Sequence, residues 1–235
     1  MTDSPLIVAL DHPDPEAALR CVDRLGPDVL RYKVGSVLFT RAGPPLVQGL
    51  TGRGLGVFLD LKFHDTPATV AGAVESALAL GVELLTVHAS GGGAMIEAAR
   101  SAVNRVGSGA QLLAVTVLTS LGEQELRRIC GPGSRPLSES VLALARLALD
   151  AGAHGLVASA GEAAALRAEV GPEPPLVVPG IRPSWSVSGH EGQVRTATPA
   201  EALRAGASHL IIGRAVTQAP DPAGAVRRIQ AEIAA

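Results

Sequence analysis

The sequence predicts an α/β protein built as a single (β/α)8 TIM barrel over residues 1–235, and three observations lead there. Eight short runs rich in Val, Ile and Leu are spread evenly over the 235 residues. A longer segment with helical spacing follows each run. The length also suits one such barrel, which takes roughly 250 residues.

The runs are LIVAL (6–10), LRYKV (30–34), GVFLDL (56–61), ELLTVH (83–88), LLAVTVL (112–118), GLVAS (155–159), PLVVPG (175–180) and HLIIG (209–213). Each is short and apolar on both faces, as a parallel strand covered on two sides must be. Between them stand helix starts. Asp14-Pro15 joins an N-cap carboxylate to a proline at the first helical position, where the missing N–H has no partner to lose. Thr66-Pro67, Thr198-Pro199 and Asp221-Pro222 repeat the device, and Gly26, Gly81, Gly152 and Gly206 end helical segments. An open doubly wound sheet shares this alternation but favours a Gly-x-Gly-x-x-Gly loop after its first strand. Here LIVAL runs into Asp11-His12-Pro13, and no glycine occurs before Gly26. No linker or low-complexity stretch suggests a second domain.

Composition narrows the function classes. A formal net charge of −2 gives no reason to invoke nucleic acid, and an aromatic content of 2% leaves little for stacking bases. Cys21 and Cys130 form no Cys-x-x-Cys pair and read as reduced thiols of a cytoplasmic protein. The start, MTDSPLIVALDHPD, is acidic where a signal peptide would be basic. No stretch approaches the roughly 18 apolar residues of a membrane span, so neither membrane nor export is expected.

In a (β/α)8 barrel, chemistry is carried at the C-terminal ends of the strands and in the loops that follow. Those positions hold Asp11 after the first run, Lys33 in the second, Asp60 and Lys62 in the third, His88 in the fourth and Thr119 after the fifth. Side chains alternate along a strand, so Asp60 and Lys62 are expected on one face with Leu61 opposite. A purely structural ion pair is the plain reading of Asp-x-Lys, yet burying such a pair adds little net stability. Asp65 on the following loop and Lys33 on the neighbouring strand make four charges of alternating sign. Such a set can orient an ammonium and hold a carboxylate against a substrate.

The last two strand ends carry VPGIRP (178–183) and IIGRAV (211–216). Each pairs a glycine, which admits close backbone approach, with an arginine able to grip phosphate in bidentate fashion. The loops after strands seven and eight frequently bind phosphate in this fold. A phosphorylated substrate is therefore expected. Trp185 to Gly192 reads as a mobile lid, with Trp185 either covering the phosphate or packing on the surface.

FLDLKFHDTPATV (58–70) resembles the Asp-x-Lys-x-x-Asp signature of the orotidine-5′-phosphate decarboxylase family in its longer bacterial form. VALD, YKVG (32–35), VHASGG (87–92), TVLTS (116–120), VPGIRP, Gln193-Val194-Arg195 and IIGRAV follow in the family's order and spacing. The resemblance implies loss of CO2 from orotidine-5′-phosphate to give uridine-5′-phosphate in de novo pyrimidine biosynthesis, with no cofactor and no metal. It implies that Lys62 protonates the pyrimidine C6, that Asp60 lies beside the departing carboxylate, and that Lys33 and Asp65 complete the charged network. By the same pattern Asp11 and Lys33 hold the ribose hydroxyls and Thr119 meets the pyrimidine edge. Gln193 and Arg214 clamp the phosphate with the N–H of Gly213, and Arg182 stands at a position that varies between branches of the family. The family is dimeric, which implies a homodimer with Asp65, Thr66 and Thr69 reaching into the partner's site.

Three alternatives stay open at this level. A metal-dependent barrel of the same superfamily, such as a hexulose-6-phosphate aldolase, would hold Mg2+ on Asp11, Asp60 and Asp65. Lys33 and Lys62 would then place positive charge where the cation should bind. A zinc site on His64 and His88 would need further ligands; His64 reads instead as a loop residue and His88 as a support for Lys62 or Asp60. A barrel that binds nucleotides without chemistry is the third.

Overall fold

A computed structural model describes residues 4–186 and 196–234. The elements alternate from the start: β1 (Leu6–Ala9), α1 (Pro15–Leu25), β2 (Arg31–Gly35), α2 (Ser36–Thr51), β3 (Gly56–Phe63), α3 (Pro67–Leu78), β4 (Leu84–His88) and α4 (Gly93–Val106). There follow β5 (Gln111–Val115), α5 (Glu123–Cys130), α6 (Leu137–Asp150), β6 (Gly155–Val157), α7 (Ala160–Val170) and β7 (Leu176–Val178). The last are α8 (Pro199–Arg204), β8 (His209–Ile212), α9 (Arg214–Thr217) and α10 (Pro222–Ala234). Each strand pairs in parallel with its neighbours in sequence, and β8 returns to β1, so the sheet closes. Closure excludes the doubly wound alternative.

Strand alternation divides the core in two. Ile7, Phe58, Leu84, Leu113, Val177 and Ile211 point inward and fill the barrel. Their alternates, such as Val8, Leu59, Leu85 and Leu112, face the helices in a larger outer cluster. Fully burying side chains of this size contributes roughly 1.5–3 kcal/mol each. The inward side chains fill the barrel below its C-terminal mouth.

Three of the four predicted helix starts cap as their residues require. Asp14 accepts from the N–H of Glu16 at 3.2 Å and of Ala17 at 3.0 Å. Thr198 and Glu201 exchange bonds of 3.3 and 2.9 Å in a capping box, and Asp221 accepts from Gly224 N–H at 3.0 Å. Thr66 differs, because its hydroxyl meets that of Thr69 at 3.0 Å instead of an N–H of α3. Gly26 closes α1, while Gly81, Gly152 and Gly206 turn the chain just beyond α3, α6 and α8 with φ of 75°, 91° and 100°.

Candidate active site

A cavity of about 380 Å³ opens at the C-terminal mouth. Its lining includes Asp11, Lys33, Asp60, Lys62, Thr119, Arg182, Gly213 and Arg214. Inward residues of the strands supply its apolar floor, among them Ala9, Val115, Val157 and Ile211. A small cavity with convergent polar groups over an apolar floor has the build of a small-molecule site.

The charges form one alternating chain. Lys33 Nζ lies 3.1 Å from Asp11 Oδ1 and 3.6 Å from Asp60 Oδ2, and Lys62 Nζ lies 2.7 Å from Asp60 Oδ1. Register explains how Lys33 reaches both carboxylates. Ala9 and Phe58 flank Lys33, and Asp60 flanks Gly35, so Asp60 stands one inward layer above the Lys33 backbone. Gly35 contributes no side chain to that layer, and the Lys33 ammonium rises through the space between Asp11 and Asp60.

Burial is graded along the chain: the Asp60 side chain is 10% exposed, Lys33 11% and Lys62 33%. Burial by itself would raise the Asp60 carboxyl. Lys33 and then Lys62, with hydrogen bonds from Lys62 and Thr86, outweigh it and hold Asp60 below the ordinary carboxylate range. The carboxylate therefore stays ionised at neutral pH. His88 is pushed below the usual histidine value by burial first, then by His64 and Lys62, and its ring lies 5.4 Å from that of His64.

The strand that carries Asp60 and Lys62 is not a plain alternating strand. From Leu59 to Phe63 it advances four residues while β4 advances two, from Leu85 to Val87. Lys62 takes up the surplus with φ of 53°, the one positive value at a non-glycine among the described residues. Both side chains still face the mouth, as alternation predicts, but a bulge aims the second of them.

Asp65 does not enter the network of its own chain. Its carboxylate accepts from the N–H of Thr66 at 2.6 Å, and residues 64–69, with Thr66 and Thr69 among them, are all exposed. Within one chain the fourth charge joined to Lys33, Asp60 and Lys62 is Asp11, while Asp65 stays exposed on the loop after β3. Gln193 and most of the predicted lid lie outside the described residues. Trp185 does not line the cavity; Arg228 of α10 lies 4.1 Å over its ring. The support expected of His88 comes from Thr86, which is fully buried and bonds both Asp60 and the Lys62 backbone. Thr86 was legible only as a hydroxyl two residues from Leu84 and His88 on the same face of β4.

Among the described residues, no three or more His, Cys, Asp or Glu side chains are arranged to hold a metal ion. Asp11 and Asp60, two of the carboxylates the metal alternative requires, each face a lysine ammonium. No helix among the described residues is long and apolar enough to cross a membrane.

Fold and mouth together define a (β/α)8-barrel protein with a charged pocket assembled from strand ends. The chain belongs to the orotidine 5′-phosphate decarboxylase / HUMPS family, whose sequence model matches residues 4–229. It is 52% identical over 232 residues to an orotidine 5′-phosphate decarboxylase of Chromohalobacter salexigens, spanning 99% of this chain and 97% of that protein. A protein of the same description from Nitrosococcus oceani is 50% identical over 233 residues, spanning 99% of each. The crystal structure of orotidine 5′-phosphate decarboxylase from Lactobacillus acidophilus aligns with a TM-score of 0.87 at 37% identity, over 99% of this chain and all of that one.

Proposed function

We propose that this protein converts orotidine-5′-phosphate to uridine-5′-phosphate and CO2, without a metal or other cofactor, as a step of pyrimidine biosynthesis in the cytoplasm. The observation that carries the reading is the alternating chain Asp11–Lys33–Asp60–Lys62 set in a mouth that also presents Arg182 and Arg214. Relatives at about half identity over the full chain support it.

In this reading the phosphate lies between the loops after β7 and β8, held by Arg214, the N–H of Gly213, Arg182 and Gln193. Asp11 and Lys33 hold the ribose hydroxyls, and Thr119 meets the pyrimidine edge. The bond between C6 and the carboxylate carbon breaks, CO2 leaves, and the electron pair stays on C6. The Lys62 ammonium delivers a proton to that carbon and recovers one from solvent after product leaves. Asp60 keeps Lys62 aimed and disfavours the substrate carboxylate beside it. Preorganised charges in a pocket of low dielectric act strongly on a developing carbanion, so a fixed cation can serve where other enzymes use an electron sink. Binding energy from the remote phosphate offsets strain at the reacting carbon.

The protein acts as a homodimer in which Asp65, Thr66 and Thr69 of each chain enter the partner's site. Their exposure beside the mouth supports this, since a loop joined directly to Lys62 leaves its own pocket unfilled. The deciding assay follows pyrimidine absorbance with purified protein, orotidine-5′-phosphate and EDTA. A falling absorbance is expected. An unchanged spectrum from folded, concentrated protein overturns the assignment, and activity lost on chelation favours a metal-dependent reaction.

A further inference from the structure

We infer that Thr86 is a positioning residue for this reaction: its hydroxyl holds β3 in the turn that aims Lys62 and orients Asp60 at the same time. The inference rests on the proposed function for its kinetic consequence, but its geometry stands independently. Thr86 lies on the inward face of β4, two residues above Leu84, and has no exposed surface. It does not line the cavity and cannot touch substrate.

The hydroxyl closes a ring. The backbone N–H of Lys62 donates to Thr86 Oγ1 at 2.9 Å, Thr86 Oγ1 donates to Asp60 Oδ1 at 3.1 Å, and Lys62 Nζ donates to the same oxygen at 2.7 Å. The directions are forced. A backbone N–H can only donate, so Thr86 must accept there, and its single proton is left for the carboxylate. The arrangement therefore suits an ionised Asp60.

The bulge makes the hydroxyl necessary. Two surplus residues between Leu59 and Phe63 take the Lys62 N–H out of the β3–β4 ladder. An N–H left unpaired in the interior is costly, and a non-glycine residue with φ of 53° adds strain of its own. Thr86 supplies the missing acceptor from the facing strand. One side chain thus stabilises the unusual backbone of Lys62 and ties it to the carboxylate its ammonium contacts. Glycine at position 62 would accept the backbone but supply no ammonium, so the strain must be met by a neighbour.

Thr86→Val keeps shape and removes both bonds, Thr86→Ser restores the hydroxyl, and Thr86→Ala removes it without bulk should the valine variant fail to accumulate. For Thr86→Val or Thr86→Ala, kcat is expected to fall roughly 10- to 100-fold, as displacement of a reacting group by a fraction of an ångström to 1 Å does. KM is expected to change less than about threefold, because the phosphate grip lies on β7 and β8. Thr86→Ser should stay within about threefold of wild type in kcat. A 13C-carboxyl NMR titration of Asp60 should move upward in the valine or alanine variant and return in the serine variant. That titration reads the hydrogen bond whatever the reaction. Wild-type protein inert toward orotidine-5′-phosphate would sink the proposed function and leave the titration to decide Thr86. An unmoved Asp60 titration, unchanged kcat, or equal loss in the serine and valine variants overturns the inference.

Discussion

The ammonium of Lys33 occupies the space that a side chain on Gly35 would claim: a Cβ built there lies 3.1 Å from Nζ. Lys33 can bridge Asp11 and Asp60 because the layer between them is empty at β2. Gly35→Ala should push the ammonium aside without disturbing the outer core. Roughly a tenfold fall in kcat/KM is expected, equivalent to about 1.4 kcal/mol, with a melting temperature close to wild type. Steady-state kinetics beside thermal unfolding measure the two effects, and a kinetic loss that only tracks a loss of stability would refute the account.

Lys62→Ala removes the proposed proton donor and one of two cations beside Asp60. Turnover should drop by about 10²- to 10⁴-fold, the range for a positioned general acid, while binding of uridine-5′-phosphate persists. Lys33 still faces Asp60, so the fold should survive, as circular dichroism would show. Near wild-type rates would remove Lys62 from its role.

Arg214 stands at the start of α9 on the rim of the cavity. Arg214→Ala should weaken phosphorylated ligands by roughly 10- to 100-fold, the worth of charge-assisted hydrogen bonds. The corresponding nucleoside should bind equally well to both proteins in calorimetry. Equal weakening of both ligands contradicts a phosphate contact.

Asp65→Asn and Lys62→Ala chains should each be nearly inactive alone. Unfolded and refolded together, they should give mixed pairs of the proposed dimer, in which one site has Lys62 from one chain and Asp65 from the other. Partial recovery of activity is expected from the mixture. None at all, with mixed dimers demonstrated by mass, argues that each site is complete within one chain.

The carboxyl of Asp60 is held below its ordinary value in the folded state, so it contributes stability above the unfolded value of about 3.9. That contribution is lost as pH falls through the lower folded value. Asp60→Asn should therefore differ most from wild type in urea unfolding near neutral pH, and the gap should narrow below about pH 4. A gap that widens in acid would show that the carboxyl is not depressed.

Much of this was legible without coordinates because the relevant chemistry is local. The eight strands were visible as apolar runs, since a strand covered on both faces tolerates little else. The order of those runs places Asp11, Lys33, Asp60, Lys62, Thr119, Arg182, Gly213 and Arg214 at strand ends, and barrel closure brings them to one mouth. Asp14, Thr198 and Asp221 were readable as caps because a cap bonds residues two or three positions away.

Tertiary structure alone decided what depends on register between strands and on the direction of a loop. The bulge at Lys62 arises from a mismatch between β3 and β4, which neither segment shows by itself. Thr86 gains its role only by standing opposite that mismatch, and Gly35 only by standing level with Asp60. Within one chain the four-charge set closes on Asp11, which Lys33 meets across β1 and β2, while Asp65 is exposed on the loop after β3. Sequence order names the strand that a side chain leaves; closure and register decide which charge it meets.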